Sequence, residues 1–156
     1  MNTPDWKELK RCVYYEDGSL RDLYVLNTKT SDWLKWADFV NEHYTVTFYN
    51  YKSQTTRHQI IKEDVIAYLN GSKDIDHCNT ATIFLGRIWI KAHFHLKKEL
   101  ENDITPDEFQ SPDDHHKLMS YMQGVSKLLG KPMILTPENN RETVLIQVEG
   151  ENISYP

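Results

Sequence analysis

At 156 residues, with 39% hydrophobic and 26% charged residues and only six Gly and six Pro, the chain has the size and composition of one ordered globular domain able to bury its own core. A formal charge of −5 argues against the clustered Lys and Arg that phosphate-backbone binding needs, so nucleic acid is not an expected partner. No apolar run reaches the roughly 18 residues of a membrane span, and the N-terminus lacks the basic and apolar regions of a signal peptide. Two cysteines, Cys12 and Cys78, make no disulfide scaffold, so free thiols in a bacterial-type cytosol and a cytoplasmic location are expected.

In chain order, Thr3-Pro4-Asp5 starts a short helix to about Lys10, with Thr3 as N-cap and Pro4 at the first helical position. Residues 11–15 and 20–27 read as strands joined by Glu16-Asp17-Gly18-Ser19, because Asp-Gly supplies the positive φ of a tight hairpin turn; Cys12 would then pack inside a strand. Ser31 caps a helix over 32–42 whose Trp33, Trp36, Ala37 and Val40 share one face. Residues 44–51, rich in Thr, Tyr, Val and Phe, form a third strand. Ile61, Val65, Ile66 and Leu69 repeat at helical spacing, which predicts a helix over 62–70 with Gly71 as its C-cap. The polar run 72–79 is the candidate boundary between two halves, 1–78 and 79–156.

Residues 81–96 are the most apolar stretch, too long for one strand, so a bulge or break is expected near Gly86. After it, Ile88, Ile90, Ala92, Phe94 and Leu96 point to the core, while Arg87, Trp89, Lys91, His93 and His95 share the other face. A return strand follows with Leu100, Asn102 and Ile104 alternating against Glu101 and Asp103, and Pro106 ends it. Ser111-Pro112-Asp113-Asp114 is a strong helix start; Leu118, Tyr121, Met122, Val125, Leu128 and Leu129 line one face, and Gly130 ends the helix. Strands are expected over 132–136 and 144–149. The fold class is therefore α+β, a mixed or antiparallel sheet with helices packed on one face of a single domain. The order hairpin, Ser-capped helix, strand occurs over 11–51 and again over 87–136, which suggests two ββαβ halves.

Function is less legible. From residue 99 to 114 the chain has seven acids and no Lys or Arg, so this segment is −7 and the remainder +2. Like charges crowded along a strand edge cost stability, which favours a basic partner protein: Glu99, Glu101, Asp103, Asp107 and Glu108 would steer association and Phe109 would anchor it as an exposed aromatic. The role expected is a non-catalytic interaction domain. The competing reading is an enzyme or sensor holding a divalent metal through the His-x-His pair His93 and His95 with a hairpin carboxylate, Glu99, Glu101 or Asp103. The run 86–99 partly resembles the first cupin motif, a Gly followed by His-x-His and then Glu. It departs from that motif with six residues rather than five before His93 and with Pro106 where a closing Gly would stand, and no second motif follows. A homodimer through the aromatic sheet face is a third reading. His115 and His116 read as a solvated helix start, and Asp76-His77-Cys78 as a loop. Phosphate-binding glycine motifs and a Gly-x-Ser-x-Gly elbow are missing.

Overall fold

The computed structural model describes residues 3–71 and 79–156. The boundary segment 72–78, with Asp76-His77-Cys78, lies outside the described residues. Among the described residues four helices, α1 (Trp6–Cys12), α2 (Thr30–His43), α3 (Lys62–Asn70) and α4 (Pro112–Leu129), accompany nine strands. The strands are β1 (Arg21–Leu26), β2 (Thr45–Asn50), β3 (Thr55–Arg57), β4 (Thr80–Leu85), β5 (Ile88–Leu96), β6 (Glu99–Ile104), β7 (Met133–Pro137), β8 (Ile146–Glu149) and β9 (Asn152–Ser154). All pair antiparallel in one sheet of order β3-β2-β4-β5-β6-β1-β7-β8-β9. The fold is α+β. Among the described residues no helix is long and apolar enough to cross a membrane.

Periodicity explains which face is covered. Ile88, Ile90, Ala92 and Phe94 alternate on β5, Ala81, Ile83 and Leu85 on β4, and Leu100 and Ile104 on β6, and all are buried in one cluster with the inner faces of the helices. From α2 come Trp33, Trp36, Ala37 and Val40, each at 0% exposure. Trp36 Nε1 donates to Tyr121 Oη at 3.0 Å, and Tyr121 donates to Asn102 Oδ1 at 2.5 Å, so the polar tips inside the core satisfy one another. Leu96, expected in the core, is instead 52% exposed at the strand's end, where the β5–β6 register shifts between His93 and Leu96.

The turn at Gly86, whose φ is +66°, divides the apolar stretch into the β4–β5 hairpin. Helix α4 begins as expected: Ser111 Oγ accepts from Asp114 N, the Asp114 carboxylate accepts from Ser111 N, and Gly130 closes the helix at φ +64°.

The first hairpin is not formed. Helix α1, capped by Asp5 rather than Thr3, runs through Cys12, which is exposed and not packed in a strand. Residues 13–20 are irregular because the carbonyls a strand would pair are taken by one buried cation. Arg21, 0% exposed, donates through Nε to Val13 O at 2.7 Å, through Nη2 to Tyr15 O at 2.6 Å and through Nη1 to Leu20 O at 2.9 Å. The first half thus supplies a single strand before α2, whereas the second supplies a hairpin before α4. β1 itself lies between β6 and β7, both from residues beyond 98, so its neighbours are not local.

Candidate functional site

The sheet face opposite the helices carries the polar members of each alternating strand. Strand register lines them up in rows: Tyr49, Thr80, His93, Glu101 and Tyr24 run across β2, β4, β5, β6 and β1, and Thr47, Thr82, Lys91, Asp103 and Asp22 form the next row. Directly opposed residues on neighbouring strands sit close enough to interact. The two rows therefore bring Asp22, Glu101 and Asp103 into one corner, with His93 beside them.

The loop over residues 138–143 folds against the β1 end of this face. Asn139 N donates to Asp22 Oδ2 at 2.8 Å, Leu20 N donates to Glu138 Oε1 at 2.8 Å, and Arg141 Nη1 meets Glu99 Oε1 at 2.5 Å. The Arg141 guanidinium also lies 5.2 Å from the centre of the Tyr24 ring. Asp22 and Tyr24 are left buried, at 4% and 3% exposure.

Among the described residues nothing covers the face toward β2 and β4. Trp89 is 46% exposed and packs edge-on against Phe84 with ring centres 5.4 Å apart, and Tyr49 is 37% exposed. Beside Trp89, the turn after β6 places Glu108, whose Oε1 accepts from Trp89 N at 3.1 Å, next to the exposed Asp107. Among the described residues Asp22, Glu101, Asp107 and Glu108 have no Lys or Arg ion-pair partner.

Burial and neighbouring charge tune these groups. Burial pulls the His93 imidazole down, but the hydrogen bond between its Nε2 and Asp103 Oδ2 at 2.6 Å, with the charges of Asp103 and Glu101, outweighs it and holds His93 above its ordinary value. Glu101 is raised by burial and then by the charge of Asp22. Asp22 is raised by burial, against the donations of Asn139 N and Tyr24 Oη, with Asp103 and Glu138 adding to the rise.

The acidic run is not a uniform surface. Asp114 is buried and bound by Arg87 Nη2 at 2.6 Å, and Asp113 pairs with Lys117 at 3.1 Å, so the chain neutralises both itself. Glu99 is held by Arg141. Phe109 is a correction: it is 0% exposed and stacked on Tyr14 with ring centres 4.3 Å apart, so it anchors the core and not a partner. It falls on the inward side because the 3-10 turn Pro106–Glu108 reverses the chain after β6.

His115 is also a correction. It is 1% exposed, with Nδ1 2.6 Å from Tyr14 Oη and Nε2 2.9 Å from Tyr155 Oη, and burial followed by the charge of His116 lowers its pKa to about 4. It is a neutral structural link between α4, the segment after α1 and the residues after β9. His93 and His95 lie with rings stacked, centres 5.4 Å apart at 10°, but His93 Nε2 already meets Asp103, and Glu99 is engaged by Arg141. Among the described residues no group of three or more His, Cys, Asp or Glu is arranged to hold a metal ion.

Sequence alternation places Glu101 and Asp103 with His93. It does not show Asp22 and Tyr24, which arrive from 77 residues away in the case of Tyr24 and Glu101. Their only local signal is that Asp22, Tyr24 and Leu26 alternate against Leu23 and Val25. Comparison with known proteins gives no match among family models, curated proteins or solved structures.

Proposed function

We propose that the protein is a non-catalytic interaction domain whose open sheet face docks a basic partner protein, with Trp89 as the aromatic anchor in place of Phe109. The observation that carries this reading is a half-exposed tryptophan, at 46%, bordered by Asp107 and Glu108, which among the described residues have no Lys or Arg ion-pair partner, on the strand face that no described helix covers. Aromatic residues that a partner can bury dominate binding energy, and the surrounding charges set the rate and sign of encounter. Glu101 and Asp103 extend the negative potential along β6, and Tyr49 extends the aromatic surface toward the β2 end. Lys91 and His93 sit among them and limit the net charge, so specificity would come from position as much as from total charge.

The test begins with capture of partners at low salt and continues with the purified candidate. A basic protein that binds the wild-type chain, loses about 30-fold or more in affinity to Trp89→Ala, and associates more slowly with Asp107→Asn/Glu108→Gln or as salt rises supports the reading. Binding unchanged by all of these substitutions, or restricted to acidic partners, overturns it.

A further inference from the structure

The Tyr24 hydroxyl stands between two carboxyl groups and has one proton to give. Its Oη is 3.0 Å from Asp22 Oδ2 and 3.4 Å from Glu101 Oε1. The shorter contact takes the proton, because Asp22 Oδ2 also receives Asn139 N–H and so is held as an acceptor. Glu101 then faces the lone pairs of Tyr24. If Glu101 is ionised, that contact is acceptor against acceptor; if it carries a proton, it donates to Tyr24, and an unbroken chain runs from Glu101 through Tyr24 to Asp22.

On its other side Glu101 has a second neighbour. Register sets it directly opposite Tyr24 on β1 and directly opposite His93 on β5. An ionised Glu101 is therefore drawn toward the imidazolium of His93, and a protonated one toward Tyr24. The groups around it are Asp22 and Tyr24 on β1, Lys91, His93 and His95 on β5, Glu99 and Asp103 on β6, and Glu138 and Arg141 in the loop. Arg141 pairs with Glu99 and lies against the Tyr24 ring, and Lys91 lies a row away, so His93, clasped by Asp103, is the cation directly opposite Glu101.

We propose that Glu101 is a proton-operated switch between two strands: protonated, it closes a hydrogen-bond chain to Tyr24 and Asp22 that ties β6 to β1 and to the 138–143 loop, and ionised, it turns to His93 on β5. The proton is taken from and returned to water, and no bond other than O–H is made or broken. The loop reads the state of the switch through Asn139 N–H on Asp22. This inference concerns the isolated chain and stands whether or not the open face docks a partner.

The experiment is a pH titration of the side-chain carboxyl carbons by NMR on the wild-type chain, Tyr24→Phe, Asp22→Asn and His93→Gln, with the Asn139 amide followed in the same spectra. In the wild type, Glu101 titrates above an ordinary glutamate and the Asn139 amide shifts with the same midpoint. Tyr24→Phe removes the acceptor for the Glu101 proton and the donor to Asp22, so the Glu101 midpoint falls and that of Asp22 rises. His93→Gln removes the competing cation, so the Glu101 midpoint rises. Asp22→Asn, which keeps the size of the side chain, lowers the Glu101 midpoint and serves if the phenylalanine variant does not fold. A Glu101 midpoint that is ordinary in the wild type, that Tyr24→Phe leaves unmoved or raises in folded protein, or that Asp22→Asn leaves unmoved, overturns the proposal.

Discussion

Arg21 sits at 0% exposure with its donors shared among the carbonyls of Val13, Tyr15 and Leu20, and the Tyr15 ring lies 3.7 Å from its guanidinium carbon. Replacing it with methionine keeps much of the volume but leaves those carbonyls unpaired. Urea unfolding of Arg21→Met is expected to show a loss of about 3 kcal/mol, as for removal of a buried charged hydrogen-bonding group. A loss below about 1 kcal/mol would mean that packing, rather than this cation, holds the segment after α1. A second expectation concerns pH. His93 is held above its ordinary 6.5, so it contributes stability that is fully present below that value and is lost as pH rises through its folded value. The raised Asp22 and Glu101 act with the same sign in a lower window, above their ordinary 3.8 and 4.5. Urea midpoints measured across neutral and mildly alkaline pH should therefore fall for the wild type and stay flatter for His93→Gln; parallel curves would exclude His93 as the source.

Among the elements, those whose ends are written locally were legible and those decided at a distance were not. Helix α4 is specified by Ser111, Pro112, Asp114 and Gly130, all within its own ends, and α3 matches its expected range of 62–70 because four apolar residues share one face. The hairpin expected over 11–27 had equally good local chemistry, with Gly18 at φ +86°, yet it lost to β6 and β7 as neighbours of β1 and to Arg21 as a partner for the free carbonyls. The short edge strands β3 and β9 carry too few residues for periodicity to register. Phe109 departs from its expected exposure for a related reason: its acidic neighbours suggest solvent, while the turn over 106–108 directs it onto Tyr14. Phe109→Ala should cost about 3 to 5 kcal/mol, as for aromatic residues removed from a core, whereas Ser111→Ala should cost about 1 kcal/mol through loss of the α4 cap. Chemical denaturation of both variants checks the ranking, and the reverse order would contradict the burial of Phe109.

Across the whole molecule, charge and aromatic exposure are distributed unequally between two faces. Trp33 and Trp36 are sealed in the core at 0% exposure, while Trp89 stands on the open face near Asp107 and Glu108. The fluorescence lost on Trp89→Phe should therefore show a caesium-to-iodide quenching ratio above that of free N-acetyltryptophanamide at low salt, with the excess shrinking as ionic strength rises. A ratio no higher than that of the free reference would show that the local potential is not negative and would remove the basis for a basic partner. The same substitution should leave stability within about 0.5 kcal/mol, since little of the core depends on that ring.

The central place of β1 bears on how the chain reaches this state. Its hydrogen-bonding neighbours, β6 and β7, are made long after it: the Tyr24–Glu101 contact spans 77 residues. Contacts so distant in sequence form slowly because loop closure must precede their reward. While the chain emerges from the ribosome, Leu23 and Val25 have no strand to join until β6 has been synthesised, and a stretch that is buried on both faces in the finished sheet waits unpaired. Rare codons or a stalled ribosome between β5 and β7 would thus lengthen the life of an aggregation-prone nascent chain, a vulnerability set by topology.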